Sequence, residues 1–237
     1  MSTSNSYSFT VTRDDIINAA FRTMGVFGLG ETASATDITN AAQALNLILK
    51  TLATKGINLW TVDDLSFSTV VGQTTYPFPG TTTSPVTSYK PLRIIDAYIR
   101  DSNNNDTPLQ IISQKEYLQY GQKSTASTTN SIYYDKGIAT GTLFVFPASS
   151  DTTHNIHIVV QRPIQDAGNS TDNPDFPTEW FKALKWGLAS ELSLEYEVDL
   201  NRVQLIEMKA SKFLEDMLSW DQDDASISFT PNAQMRN

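Results

Sequence analysis

Apolar residues follow a helical spacing near both ends of this chain, most clearly in Thr36 to Trp60, "TDITNAAQALNLILKTLATKGINLW". One face of the predicted helix carries Ile38, Ala41, Ala42, Leu45, Ile48, Leu49 and Leu52. Thr36 is the predicted N-cap, and Gly56 the predicted stop. An amphipathic helix of this kind has to pack its apolar face against another element. The element is therefore a packing unit, and it carries no residue typical of catalysis.

A preceding helix is predicted from about Arg13 to Met24, with Thr12 and Asp15 spaced as a capping box. Its predicted inward face carries Ile16, Ile17, Ala20, Phe21 and Met24. The sequence "GVFGLG" follows, with glycines at positions 25, 28 and 30. A dinucleotide-binding loop lies between a strand and a helix, whereas these glycines follow a helix. We therefore interpret them as a helix stop and a turn that joins the two helices into a hairpin.

Two further helices are predicted near the C-terminus. The first has a stripe of Phe181, Leu184, Leu188, Leu192 and Tyr196. The second alternates spacings of three and four through Val203, Ile206, Ala210, Phe213, Met217 and Trp220. We expect these helices to form an antiparallel pair that completes one bundle with the N-terminal hairpin.

The middle of the chain has a strand-like composition. Short segments such as "LRIIDAYIR", "GTLFVFP" and "HNIHIVVQRP" are rich in β-branched and aromatic residues and are separated by turn-forming residues. They predict an antiparallel sheet or a small sandwich, interrupted by a short helix at Gln114 to Tyr120 and a mobile polar loop, "GQKSTASTTNS".

The fold class predicted is α+β, with terminal helix pairs in one bundle and a β-rich antiparallel middle. The expected parts are an N-terminal hairpin at 1–57, a β-rich region at 58–163, a linker at 164–177, a helix pair at 178–220 and an extended arm at 221–237.

Composition excludes several classes of site. The chain has no cysteine, which rules out disulfides and thiolate chemistry. Its formal net charge of −9 argues against a general nucleic-acid binder, because such proteins neutralise phosphates with Lys and Arg. No apolar run is long enough to span a bilayer, and the N-terminus lacks the pattern of a signal peptide. We expect a soluble protein that is made in the cytoplasm and has no membrane partner.

The residues that can support catalysis are few. His154 and His157 are three apart in a predicted strand, so they point to opposite faces and are poor joint metal ligands. No "GxSxG" elbow is present. We expect no enzyme activity, no catalytic residue, no metal and no cofactor.

An acidic cluster is formed by Glu191, Glu195, Glu197 and Asp199 at the predicted end of a helix near Val198. Carboxylates at a helix C-terminus face the negative end of the helix dipole. Either Arg202 or an arginine of a neighbouring subunit compensates them, or the charges are exposed and screened by solvent.

The last stretch, "DQDDASISFTPNAQMRN", loses the helical spacing. Ile227 and Phe229 share one face of an extended segment, and Pro231 blocks its continuation. Such a segment suits addition to the sheet edge or groove of a partner, so these three residues form a predicted interface with a partner protein.

The order of these parts resembles the head-to-tail adaptor (connector) proteins of short-tailed bacteriophages, also called tail tubular protein A or packaged-DNA-stabilisation protein. The resemblance rests on "AAFRTMGV", "AAQALNLILKTLATKGINLW" before "LSFSTV", "FPTEWFKALKWGLASELSLEYEVD", "KASKFLEDML" and "SISFTP" in that order. It covers about Val11 to Pro231, and its specificity lies in the order rather than in any one motif.

The resemblance implies a structural virion protein in the neck. Its expected partners are the portal protein, further copies of itself in a dodecameric ring, and the next tail component, a nozzle or a protein like tail tubular protein B. The genome would pass through the central channel without specific binding. Two alternatives remain open: a carbohydrate-binding or glycan-cleaving tail protein, with aromatic residues in a groove and paired carboxylates, and a DNA-binding regulator.

Overall fold

The computed structural model describes residue 5 and residues 9–27, 30–56, 59–80 and 87–221. In the first helix, α1 (Arg13–Met24), all five residues of the predicted inward face are buried. Thr12 and Asp15 form the predicted capping box. Gly25 ends the helix in the left-handed conformation, with φ of 71°, which glycine adopts without strain. The predicted structural role of this glycine is confirmed.

The second helix, α2 (Ala35–Leu52), differs from the prediction at both ends. Its N-cap is Ser34, whose hydroxyl accepts a hydrogen bond from the Asp37 amide, and the Asp37 side chain bonds back to Ser34. The predicted cap, Thr36, instead lies in the first turn, because the Ser-x-x-Asp capping box provides two reciprocal bonds there. The helix also ends four residues before Gly56, the predicted stop.

The middle region contains ten strands and one short helix within the described residues. The helix is α3 (Gln114–Gln119). The strands are β1 (Val62–Ser68), β2 (Thr75–Phe78), β3 (Arg93–Arg100), β4 (Asp106–Pro108), β5 (Gln110–Ile111), β6 (Ala126–Ser127), β7 (Ser131–Asp135), β8 (Gly141–Phe146), β9 (Ala148–Ser149) and β10 (Asn155–Gln161).

Most of these strands form two four-stranded sheets. The first has the order β1-β10-β3-β4 and is antiparallel throughout. The second has the order β2-β8-β7-β5 and is antiparallel except for the β5–β7 pair. Both sheets bury one face in a single apolar core, which includes Ile156 and Ile158 from the first sheet and Leu143 and Val145 from the second. The middle is therefore a sandwich.

The polar segment expected to be a mobile loop contains β6, which pairs in parallel with β9. The backbone bonds from Ala148 to Thr125 and from Ser150 to Ser127 fix it beside the second sheet. Its small residues suit this close approach of two backbones, which composition alone did not indicate.

Two C-terminal helices, α4 (Phe181–Ser193) and α5 (Leu200–Trp220), complete the bundle. Helix α4 packs against α1 and α2, and α5 packs against α4 and α1. The predicted stripe of α4 is buried at Leu184, Leu188 and Leu192, in the same core as Phe21 and Leu45. The α+β class and the helical bundle built from both ends of the chain are confirmed.

The stripe predicted for α5 is only partly covered. Val203 and Ile206 are buried, whereas Trp220 at the other end is 59% exposed. Ala210, Phe213 and Met217 are half-buried. The helix thus lies on the outside of the bundle, with its second half less enclosed than its first.

The segment 164–177 joins the sandwich to α4 without a helix or strand of its own. It packs onto the bundle, because Ile164 and Phe176 are buried in the bundle core. The carbonyl of Asp172, in this segment, also accepts a hydrogen bond of 2.8 Å from the amide of Arg13.

Polar side chains join the bundle to the sandwich at the two places where the chain crosses between them. Gln161, at the end of β10, is 1% exposed. Its amide donates to the carbonyls of Gly56 (3.0 Å) and Ala53 (3.4 Å), just after α2. Its carbonyl accepts from Nε of Arg93, at 2.6 Å. One buried amide therefore ties β10 and β3 to the end of α2.

Arg162 adds further bonds at this junction between the bundle and the sandwich. Its guanidinium pairs with both carboxylate oxygens of Asp175, one of them at 2.9 Å. Its backbone amide bonds to the carbonyl of Thr61 at 2.8 Å. Because the pair is part-buried and bidentate, it has the geometry in which arginine binds carboxylates most strongly. The two crossings of the chain are thus bonded to each other.

The capping assignment predicts a difference between Ser34→Ala and Thr36→Ala. Loss of the Ser34 hydroxyl should lower the free energy of unfolding by about 1 kcal/mol, because an N-cap bond is lost. Thr36→Ala should change it by no more than about 0.5 kcal/mol, as for an exposed site. Urea unfolding of both variants measures this, and a larger loss for Thr36→Ala would contradict the assignment.

The junction predicts that Gln161→Leu destabilises the protein strongly. Arg93 and the carbonyls of Gly56 and Ala53 each lose one buried bond, while the bond from Arg93 to Gly56 remains. The loss of these three bonds should lower the free energy of unfolding by about 1–3 kcal/mol. Gln110→Leu is the matched control, because Gln110 is an exposed strand residue, and it should change stability by at most about 0.5 kcal/mol. Equal effects of the two substitutions in urea unfolding would show that the Gln161 bonds do not stabilise the junction.

Candidate assembly surfaces

The two histidines have separate partners. Nδ1 of His154 lies 2.7 Å from Asp151, which also accepts two bonds from Thr153 in the same turn. The His154 bond is the main cause that lowers the pKa of Asp151. His157 stacks on Tyr98, with ring centroids 4.6 Å apart. The structure does not bring the two imidazoles together, and each one serves local packing.

The acidic cluster has a different setting from the one predicted. Helix α4 ends at Ser193, so the expected helix end near Val198 was wrong. Asp199 is instead the N-cap of α5, where its carboxylate accepts from the Asn201 amide at 3.1 Å. A carboxylate at a helix N-terminus faces the positive end of the dipole, so this one stabilises its helix. Glu191 and Glu195 are exposed on α4 and the turn after it.

Arg202 was one of the cations expected to compensate this cluster, but its guanidinium contacts α1. Its Nη2 and Nε donate to the carbonyl of Thr23, at 2.9 and 3.2 Å. The guanidinium also lies against Gly25, where a Cβ atom would be 2.4 Å from Nη1. Arg202 therefore caps the C-terminus of α1, a favourable place for a cation. No local sequence pattern indicates this contact, because the two residues are 179 positions apart.

Aromatic side chains cover the outer face of the second sheet, but they stack on one another. Tyr120 lies 3.9 Å from Phe146, ring centroid to ring centroid, and nearly parallel to it. Tyr117 of α3 stacks on Tyr133 at 5.8 Å and contacts Phe144 at 5.2 Å. These contacts attach α3 to the sheet. A carbohydrate-binding groove needs open ring faces, so this cluster gives no support to the glycan-binding alternative.

The outer side of α5 presents apolar side chains to solvent. Leu205 and Met208, three residues apart and so on one face, are 49% and 59% exposed. Leu200 at the start of the helix and Leu194 just before it are also exposed. Single exposed apolar residues are ordinary, whereas a group of them along one helix marks a surface suited to protein contact. We call Leu200, Leu205 and Met208 the α5 face.

A second surface is a cleft of about 440 Å³ between α1, α4 and the residues that precede α1. Its apolar lining comes from Phe9, Val11, Ile16, Ala19 and Phe181. Three cations, Arg22, Lys182 and Lys185, also line it. We call it the cationic groove.

Charges in the cationic groove are unbalanced. Its one carboxylate, Asp15, is engaged in the capping box with Thr12. Within the described ranges, neither Lys182 nor Lys185 forms an ion pair, and Lys182 instead lies 3.9 Å above the Phe213 ring. Burial, and then the nearby charges of Lys182 and Arg22, lower the pKa of Lys185. The groove thus combines an apolar lining with an excess of positive charge in a chain whose net charge is −9.

The predicted interface residues Ile227, Phe229 and Pro231 lie outside the described residues, which end at Asp221. Asp221 follows the last turn of α5, and its carboxylate accepts a bond of 3.3 Å from the amide of Leu59. Burial raises the pKa of Asp221. The described chain therefore ends beside the start of the β-rich middle.

Within the part of the chain that the structure describes, no helix is long and apolar enough to cross a membrane. In the same part, no group of three or more His, Cys, Asp or Glu side chains is arranged to hold a metal ion. The features that stand out in the described residues are three surfaces: the α5 face, the cationic groove and the surroundings of Asp221 at the end of α5.

Comparison with known proteins gives a family match. No single curated protein matches the sequence. The sequence does match the family of the SU10 adaptor protein over residues 11–235, which is nearly the whole chain. This match confirms the resemblance to phage head-to-tail adaptors that the order of the parts indicated. The chain belongs to the SU10 adaptor protein family.

Proposed function

We propose that the protein is a head-to-tail adaptor that forms a dodecameric ring between the portal and the next tail component of a virion neck. The observation that carries this proposal is the family match over residues 11–235, which includes both helix pairs and the sandwich. In this role the protein acts by assembly rather than by catalysis. Genome passage and retention then depend on the channel that the ring encloses.

The two-part architecture suits such a ring. The bundle and the sandwich are joined by the Gln161 and Arg162 bonds, so a force on one part is transmitted to the other. The α5 face is apolar and exposed, which favours contact with a neighbouring copy or the portal. In the proposed assembly it lies in a protein interface.

The charge of the chain suits a channel that DNA crosses without binding. The formal net charge of −9 repels a polyanion, and specific retention would need clustered Lys and Arg side chains at the phosphates. An acidic channel wall therefore lets the genome slide. Passage of this kind needs no residue that recognises DNA bases.

We further propose that the C-terminal arm, residues 221–237, attaches the adaptor to the portal or to a neighbouring adaptor. Ile227 and Phe229 alternate with Ser226 and Ser228, as on a strand with one apolar face. Added to the sheet edge or groove of a partner, this segment gains backbone hydrogen bonds while the two apolar side chains fix its register. Pro231 ends the pairing because it has no amide hydrogen.

The test uses the full chain and purified portal rings. The double substitution Ile227→Asp with Phe229→Asp should abolish co-sedimentation with the portal, because two charges would have to be buried. The matched control is Ser226→Asp with Ser228→Asp, which adds the same charge to the opposite face and should still bind. Thermal melting of both variants should show cooperative unfolding, which excludes misfolding as the cause of lost binding.

A chain truncated after Asp224 should fold like the full chain and also fail to co-sediment with the portal. If the truncated or doubly substituted protein assembles on the portal as well as the unchanged chain does, the arm has no attachment role. If the unchanged chain itself fails to bind any portal ring, the adaptor function is contradicted.

A further inference from the structure

Among the described residues, no segment fills the cationic groove with both apolar side chains and carboxylates, as its apolar lining and positive charge require. Phe9 on its rim is 67% exposed and lies 6.4 Å from Phe181, ring centroid to ring centroid. Lys182 and Lys185 are one helical turn apart on α4, so their charges lie side by side. An occupant therefore needs at least two neighbouring carboxylates and nearby apolar side chains.

The chain itself contains one such segment outside the described residues. The sequence "QDDASISFTP", residues 222–231, has two adjacent aspartates, Asp223 and Asp224, followed by Ile227 and Phe229. The other terminal segment, "MSTSNSYS" at residues 1–8, adjoins the groove through Phe9 but has no carboxylate. Charge complementarity therefore selects the C-terminal segment over the N-terminal one.

A short series of contacts links Asp221, the last described residue, to the groove. Asp221 is bonded to Leu59, and the ring of the next residue, Trp60, lies 5.1 Å from that of Trp180. Trp180 directly precedes Phe181, a lining residue of the groove. Residues 222–227 can extend about 20 Å, which is enough to turn back along α4.

We infer that the cationic groove binds residues 222–231 of the same chain in the free subunit. Asp223 and Asp224 meet Lys182 and Lys185, while Ile227 and Phe229 cover the apolar lining beside Phe9. The tether favours the segment of the same copy over that of another, because a short flexible link gives a local concentration in the millimolar range.

This contact goes beyond the proposed attachment role. Before assembly it covers the exposed apolar surface of the groove and of the arm at the same time. Ring formation then exchanges an internal contact for one with a partner, so the arm is released only where a better site is available. The inference concerns the isolated subunit and does not require that the portal be the partner.

The absence of cysteine allows a direct test by engineered disulfides in the full chain. The groove pair is Ala19→Cys with Ser228→Cys, since Ala19 lines the groove. The control pair is Gln43→Cys with Ser228→Cys, since Gln43 is exposed on α2 and is not among the lining residues of the groove. Under mild oxidation of dilute protein, the intramolecular disulfide of the groove pair should form at least about tenfold faster than that of the control pair. Mass spectrometry separates closed monomers from linked dimers.

A charge exchange tests the proposed partners. Lys182→Glu with Lys185→Glu should slow closure of the groove pair about fivefold or more, and adding Asp223→Lys with Asp224→Lys should restore it. Added salt should also slow disulfide formation in the groove pair that carries no charge substitutions. This measurement tests the charge contacts even if a charge variant does not fold.

Three results would overturn the inference. One is equal closure of the groove and control pairs, and another is the formation of linked dimers alone. The third is faster closure of Ala19→Cys with Ser6→Cys than with Ser228→Cys, which would assign the groove to the N-terminal segment. None of these results depends on a ring, so they leave the proposed adaptor function to its own portal-binding test.

Discussion

The relation between the two halves of this protein depends on the bonds that Gln161 and Arg162 make where the chain returns from the sandwich to the bundle. Gln161 contacts the turn that follows α2, and Arg162 pairs with Asp175 while its backbone bonds to Thr61. A buried amide that lost these partners would carry an unfavourable desolvation cost. These bonds thereby fix the orientation of the bundle relative to the sandwich.

Local signals predicted the helices well. The extent of α1 follows from the capping box at Thr12 and the spacing of its apolar residues, and both are properties of a few neighbouring residues. The start of α2 was misplaced because two hydroxyl residues, Ser34 and Thr36, are near it. The decisive signal was present in the sequence, since only Ser34 has an acidic residue three positions later to complete a capping box.

Contacts between residues far apart in the sequence could not be predicted from local patterns. Strand β1 pairs with β10, which follows almost a hundred residues later, and strand composition does not specify which strands pair. Arg202 was one of the cations considered for the acidic cluster nearby in sequence, whereas it caps α1 from the other end of the chain. The cationic groove likewise combines two segments that are far apart in the sequence, residues 9–22 and residues 181–185. The resemblance to adaptors depended on the order of the parts, which is why it could be stated without these contacts.

We propose that the protein forms a ring in a virion neck, and a cryo-EM reconstruction of the assembled neck is the decisive experiment for this claim. We expect a dodecameric ring of this fold between the portal and the next tail component, with a channel through its centre. We also expect the arm, residues 221–237, to contact the portal or an adjacent copy. Density for this bundle and sandwich elsewhere in the particle, such as in a peripheral fibre, or a neck without it, would contradict the claim.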